Sequence, residues 1–286
     1  MITALDHITV AVADLDAAVA AYEMFLGRRV NWRGASGGAE QAWIQLPNMA
    51  LNLVSPSGDG AWGDQARQRL ADRGEGLWRI AFTAQDLEAV RSQAGRRGVA
   101  TGDPVLRVSR SPDGAERRWR LSEADPATTA GVELALVDVA EEPWPVSPPV
   151  TTDAAAISLL DHVVINTPNP DRALALYGAR LGLDFRLERS NPAWGSKLMF
   201  FRCGGAVVEI GAALKDGPPP EGPDRLSGLA WRVSDPDAAR ARLAACGLDV
   251  SEVRQGRKPG TRVFTVRSGV PGAPTLLLAA EGVEVD

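Results

Sequence analysis

LDHITVAVADLDAAVAAYEMFLG, residues 5–27, returns as LDHVVINTPNPDRALALYGARLG at residues 160–182. The chain has only two histidines and two tyrosines, and they fall at matching places: His7 with His162, Tyr22 with Tyr177. Gly27 and Gly182 close the two copies. Self-similarity at a fixed separation marks a duplicated supersecondary unit and governs every local reading. In the first copy Ile8, Val10 and Val12 alternate with smaller or polar residues, which is a strand period. Asp14 is an N-cap candidate, Leu15, Ala18, Val19, Tyr22 and Phe25 fall on one helical face, and Gly27 ends the helix. The runs AWIQLP and MALNLVSP, separated by Pro-Asn, add two short strands.

The same order recurs at GLWRIAFTAQDLEAVRSQAGRRGV, with Asp86 as cap and Gly98 as stop, and at LSGLAWRVSDPDAARARLAACGLDV. Asp86 and Gly98 match Asp235 and Gly247 in register. Four βαβββ-like units follow, an α+β chain of two tandem domains with curled mixed sheets. The Pro-rich stretch EEPWPVSPPVTTDAAAIS favours an extended connection. The expected division is 1–142 for the first domain, 143–158 for the linker and 159–286 for the second domain.

The bulk properties narrow the functional classes. With 286 residues, 45% of them hydrophobic and 23% charged, the chain suits two globular domains. A formal net charge of −5 and a pI near 5.3 oppose a broad nucleic-acid footprint. No apolar run reaches the length of a membrane span. Cys203 and Cys246 fit neither a disulfide framework nor a zinc spacing. A cytoplasmic protein with a small-molecule ligand, as monomer or homodimer, is the expectation. No Ser-His-Asp arrangement, Walker loop or dinucleotide loop is present.

Repeated βαβββ units opening on Leu-Asp-His, with a Tyr-x4-Gly-like helix end, resemble the vicinal oxygen chelate superfamily. Its members include glyoxalase I, methylmalonyl-CoA epimerase, bleomycin resistance proteins and extradiol dioxygenases. The resemblance covers nearly the whole chain and implies a cleft inside each curled sheet, into which the first and last strands of each unit point one residue. Carried over by position, those residues are His7 and Asn52, Arg79 and Glu133, His162 and Glu209, then Gly228 with Thr275 or Leu276. Metal ligation is thereby assigned to His7, Glu133, His162 and Glu209, with iron, manganese, zinc or nickel as the cofactor in question. Arg79 cannot ligate, because its guanidinium has no acceptor, and an ion pair with Glu133 is its expected state. If units pair one with two and three with four, neither ligand set is complete. If two pairs with three, Glu133, His162 and Glu209 converge.

Both glutamates lie in apolar runs, GVELALV and AVVEIG, where a carboxylate needs a partner. They are the candidate catalytic bases. His7 and His162 have Asp6 and Asp161 beside them as alternative, purely structural partners. Arg79 and Asn52 are candidate substrate contacts. Trp43 and Trp194 either stack on a flat ligand or pack the core. Arg257 and Arg262, in RQGRKPGTR, form either an anion-binding loop or a solvated hairpin. These residues imply a lyase, isomerase or dioxygenase-type enzyme on a small oxygenated, carboxylate-bearing molecule. The alternative is metal-free ligand binding of the bleomycin-resistance type.

Overall fold

Asp14 accepts a hydrogen bond from the Ala17 amide at 2.9 Å, and Gly27 takes the left-handed conformation (φ 66°) in which a side chain is disfavoured. Between them the helix α1 (Leu15–Leu26) buries Leu15, Ala18, Val19, Tyr22, Phe25 and Leu26. A lost N-cap of this kind costs about 1 kcal/mol. The helix therefore starts and stops where the repeat requires, with its apolar face against the sheet. The computed structural model describes residues 1–140, 144–151, 154–214, 217, 220–272 and 274–280. Parts of the Pro-rich connection thus lie outside the described residues, as do positions 281–286.

The first half contains β1 (Ile2–Ala11), α1, β2 (Trp32–Ser36), β3 (Ala39–Gln45) and β4 (Ala50–Pro56). There follow α2 (Ala61–Arg73), β5 (Gly76–Ala84), α3 (Leu87–Arg96), β6 (Val105–Arg110), β7 (Glu116–Glu123) and β8 (Glu133–Asp138). These strands close into a barrel in the order β1-β4-β3-β2-β6-β7-β8-β5. β1 and β5, the opening strands of units one and two, pair antiparallel, so these two units build one body.

The second half begins with β9 (Ile157–Asn166) and α4 (Pro170–Leu174), which runs on as a π-helical turn, Ala175–Arg180. Next come β10 (Asp184–Asn191), β11 (Ser196–Cys203), β12 (Ala206–Ala213), β13 (Arg225–Val233) and α5 (Pro236–Ala245). The last strands are β14 (Asp249–Val250), β15 (Arg254–Gln255), β16 (Thr261–Ser268) and β17 (Thr275–Ala280). Here the order is β10-β11-β12-β9-β13-β17-β16-β14, an unclosed sheet in which units three and four pair through β9 and β13. Among the described residues no helix is long and apolar enough to cross a membrane.

α2 is the element that the sequence reading lacked. Its apolar positions, Trp62, Ala66 and Leu70, recur every four residues and pack with Trp78 and Val54. Gly63 brings the helix against the turn at Gly38: a Cβ there would sit 2.1 Å from the Gly38 carbonyl oxygen.

The helix-covered faces of the two sheets meet, and one apolar core runs through both halves. Phe25 of α1 lies edge-on to Trp231 of β13, centroids 6.2 Å apart. Arg242 of α5 donates to the Met24, Phe25 and Ala155 carbonyls. Asn48 donates to the carbonyls of Leu160 and Gly205 and accepts from the Leu160 amide.

Candidate functional site

Cross-strand register puts equivalent residues of the two halves in equivalent rows. In the barrel one inward row runs Trp43–Asn52–Thr9–Arg79–Glu133 across β3, β4, β1, β5 and β8. Its counterpart runs Phe200–Glu209–Val164–Gly228 across β11, β12, β9 and β13. Two exchanges decide what each row does: Asn52 stands where the second half has Glu209, and Arg79 where it has Gly228. Residues on the other face, such as Val163, Val208, Ile210, Phe201 and Trp231, are buried under the helices.

The barrel interior is filled by its own side chains. Arg79 donates to Glu123 at 2.7 Å and to Glu133 at 3.1 Å, so the expected contact with Glu133 is present and a second carboxylate joins it. Arg107 donates to the same Glu123 oxygen. Burial pushes the Glu123 carboxyl up, but Arg79 and Arg107 outweigh it and hold it below the usual range. The Arg79 guanidinium also lies over Trp62 at 4.8 Å, and Trp62 stacks on Trp78 with centroids 4.4 Å apart. Deeper in, Arg117 is sandwiched between Trp43 at 3.9 Å and Trp144 at 4.2 Å. Burial pushes this guanidinium down to about 9, and two indole faces supply part of what a counterion would.

Trp43 is thus a buried wall of the barrel, in contact with Arg117 and, edge-on, with His7. What remains between His7, Thr9, Gln41, Asn52 and Trp119 is a hollow of about 20 Å³, room for one water. A larger groove of about 360 Å³ runs outside it, between the polar face of α2 and Trp78, Arg79, Glu123 and Glu133.

The second sheet keeps its inner face open. His162 Nε2 lies 3.5 Å from Glu209 Oε2, with each side chain 15% exposed. Burial raises the Glu209 carboxyl above the usual range, partly offset by the charges of His162 and Arg257. Among the described residues, His162 is the only basic side chain within ion-pair distance of Glu209. Val164, Phe200, Leu276 and Leu278 share this face and are half-buried. Each histidine also has its neighbouring aspartate on Nδ1, His7 with Asp6 at 2.6 Å and His162 with Asp161 at 2.8 Å.

The remaining sequence candidates separate. Arg257, between β15 and β16, acts on Glu209 from the rim. Arg262 turns to the helix-covered side and makes two hydrogen bonds to Asp237 of α5, away from the inner face. The Trp194 side chain lies outside the described residues. Glu133 and Glu209 fall in different bodies, so no cleft gathers Glu133, His162 and Glu209. Glu133 is less enclosed than its apolar run suggests, with a third of its side chain exposed to the outer groove.

The glyoxalase-like domain family matches residues 5–154, over half of the chain, and the glyoxalase/bleomycin resistance protein/dioxygenase superfamily matches residues 161–265. The chain belongs to the glyoxalase-like, vicinal oxygen chelate superfamily. The ethylmalonyl-CoA/methylmalonyl-CoA epimerase of Cereibacter sphaeroides is 32% identical over 120 residues, 39% of this chain and 86% of that protein. A mutant 4-hydroxymandelate synthase from Streptomyces coelicolor superposes with a TM-score of 0.69 at 14% identity, covering 100% of this chain and 94% of that one. The Mn(II)-bound glyoxalase from Novosphingobium aromaticivorans gives 0.65 at 16% identity, covering 97% and 82%. At those identities the two structures speak for the fold alone.

A glyoxalase-like site that holds a divalent metal needs about three protein donors. The barrel does not fit, because the Arg79 guanidinium is bonded to both carboxylates there. The second face does not fit either: His162 and Glu209 are two donors, Gly228 and Leu276 add none, and Thr275, the other candidate, is buried beside Leu229 on the opposite side of the sheet. No group of three His, Cys, Asp or Glu side chains suited to a metal occurs among the described residues.

Proposed function

We propose that the inner face of the second domain binds a small oxygenated, carboxylate-bearing molecule and moves a proton on it, an isomerase-type reaction. One observation carries this reading. Glu209 is a mostly buried carboxylate, 15% exposed, with no guanidinium within ion-pair distance among the described residues, and burial raises its proton affinity, whereas Glu123 and Glu133 are held by guanidinium groups. A raised carboxyl in a partly apolar hollow is suited to general-base work near neutral pH. Glu209 takes the proton from the carbon next to a carbonyl. The C–H electron pair shifts to the carbonyl oxygen as an enolate, and reprotonation of the carbon restores the base. His162 Nε2 stands beside Glu209 and can accept the proton in transit. Arg257 supplies the cation for the substrate carboxylate. The epimerase relative favours a carboxylated acyl-CoA ester as the first molecule to try.

The test is deuterium uptake from D2O at the acidic carbon of methylmalonyl-CoA and of related carboxylated carbonyl compounds, followed by NMR. Glu209→Gln should slow uptake by about 10²–10⁴-fold while binding persists. Uptake by that variant at the wild-type rate would remove Glu209 from the chemistry. The same substitution should stabilise the fold at neutral pH. Above its ordinary range the Glu209 carboxyl is ionised when unfolded but still partly protonated when folded, so stability falls as pH rises through this window. The Tm gain of the glutamine variant should therefore fade as the pH drops below the ordinary glutamate range.

The two-donor arrangement has its own consequence. The purified protein should carry well under one equivalent of iron, manganese, zinc or nickel, and chelation should leave its Tm unchanged. A full equivalent, lost in Glu209→Gln, would show that further donors complete a metal site.

A further inference from the structure

In both halves the histidine meets its neighbouring aspartate, but the other oxygen of that aspartate is held differently. Asp6 Oδ2 accepts from Thr83 Oγ1 at 3.2 Å. Asp161 Oδ2 accepts from Arg232 Nε at 2.5 Å. The two partners are equivalent by register: Thr83 pairs with Ala4 on β1, and Arg232 with Leu159 on β9. Only in the half with the open face is that oxygen hydrogen-bonded to a guanidinium; in the first half Arg117 acts on Asp6 through its charge alone.

The geometry points to Arg232 as a positioning residue, which fixes Asp161 so that His162 carries its proton on Nδ1 and turns a bare Nε2 towards Glu209. The inference rests on the proposed role of Glu209 and adds the residue that sets its neighbour. A carboxylate anchored at one oxygen presents the other as a fixed acceptor, and that acceptor selects the Nδ1–H tautomer. The tautomer matters for Glu209. An Nε2–H pointing at it would donate to its ionised form and weaken it as a base, whereas a bare Nε2 leaves it basic and can take up its proton.

Among the described residues, the charged groups that face the imidazole or its partners are Asp161 on its own strand, Glu209 on β12, Arg232 on β13, which bonds Asp161, and Arg257 at the β15–β16 hairpin, which acts on Glu209. Burial pushes the Asp161 carboxyl up, but His162 and Arg232 overcome it and hold the group below the usual range.

With two histidines in the chain, the test is direct. Long-range ¹H–¹⁵N spectra of the full-length ¹⁵N-labelled protein, recorded above the imidazole titration range, show two ring systems, and His7→Gln assigns them. In the wild type His162 should appear as the Nδ1–H form. Arg232→Thr imports the residue of the first half and should raise the Nε2–H form several-fold, with the His7 signals unmoved. Arg232→Lys, which keeps a cation, should restore much of the original ratio. Arg232→Gln gives the same reading should the threonine variant fail to fold. A wild-type Nε2–H ring, or an unchanged ratio in a folded Arg232 variant, overturns the inference. Deuterium uptake judges Glu209 separately, so a tautomer shift without any catalysed uptake would keep the positioning role and reject the reaction.

Discussion

Replacing Arg79 with alanine should destabilise the first domain by about 3 kcal/mol, read as a lower urea midpoint at pH 7. Arg79 is 7% exposed in its side chain and joins two carboxylates, Glu123 and Glu133, that are 30% and 33% exposed. Removing one partner of a buried pair costs about 3–5 kcal/mol because the remaining charge stays uncompensated. Here the carboxylates keep some water, which lowers that figure, and the lost contact with Trp62 raises it again. The pH dependence separates the charge effect from packing. The Glu123 carboxyl is depressed in the folded wild type, so its contribution is present above the ordinary glutamate range and is lost as pH falls through the depressed value. The gap between wild type and variant should therefore narrow as the solution is acidified. A gap that stays constant from neutral pH to below pH ~4 would assign the loss to packing alone. Deuterium uptake should survive in whatever fraction of Arg79→Ala remains folded, because the proposed chemistry lies in the other half.

Much of this arrangement was legible because the repeat is written in caps and faces. Asp14, Asp86 and Asp235 each cap a helix as their spacing implies. The periods of α1 and the flanking strands mark their buried sides. The candidate positions His7, Asn52, Arg79, Glu133, His162, Glu209 and Gly228 came from the family resemblance, carried over unit by unit. What could not be read was which atoms fill the space between them. Glu123 reaches Arg79 across β8, and Arg107 reaches Glu123 from β6, contacts set by the strand order, and neither residue carries a motif. α2 gives a weak periodic signal, because its helical face is three apolar residues wide and the rest is mostly polar or small. The role of Arg232 becomes visible only when it is set against Thr83, and that equivalence needs the strand register rather than the residue types.

The filled barrel and the open face are two outcomes of one duplicated scaffold, and the difference lies in side-chain volume and charge at matched positions. Trp43 stands where the second half has Phe200, and α2 adds Trp62 over the mouth. Together with Arg79 and Arg117 they occupy the room in which a ligand would otherwise sit. The second half has Gly228 in the row of Arg79 and no helix between β12 and β13 among the described residues. A ligand role for Trp43 is therefore poorly matched to its position, since it is 2% exposed and stacked on an internal guanidinium.

α2 is held in place by a backbone approach that only glycine permits, and Gly63→Ala should show it. The added Cβ would meet the Gly38 carbonyl oxygen at 2.1 Å and its carbon at 2.6 Å, both backbone atoms of a turn that cannot rotate away. Gly38 O also accepts from the Ser57 and Gly58 amides, and Gly63 N donates to Gly37 O, so a shift of either segment breaks hydrogen bonds. Forcing a methyl into such a contact costs about 1–3 kcal/mol, and displacing Trp62 from Trp78 takes the sum to about 3 kcal/mol or more. Gly95 is the matched control: it lies inside α3, and nothing stands within 4 Å of the Cβ it would acquire. Gly95→Ala should therefore stabilise by about 0.5–1 kcal/mol, the ordinary helical advantage of alanine. Opposite signs for the same substitution in two helices, read by urea denaturation, would establish that α2 is a docked part of the barrel. Equal and small effects at both sites would mean that α2 can leave its seat, and that the first cleft can open.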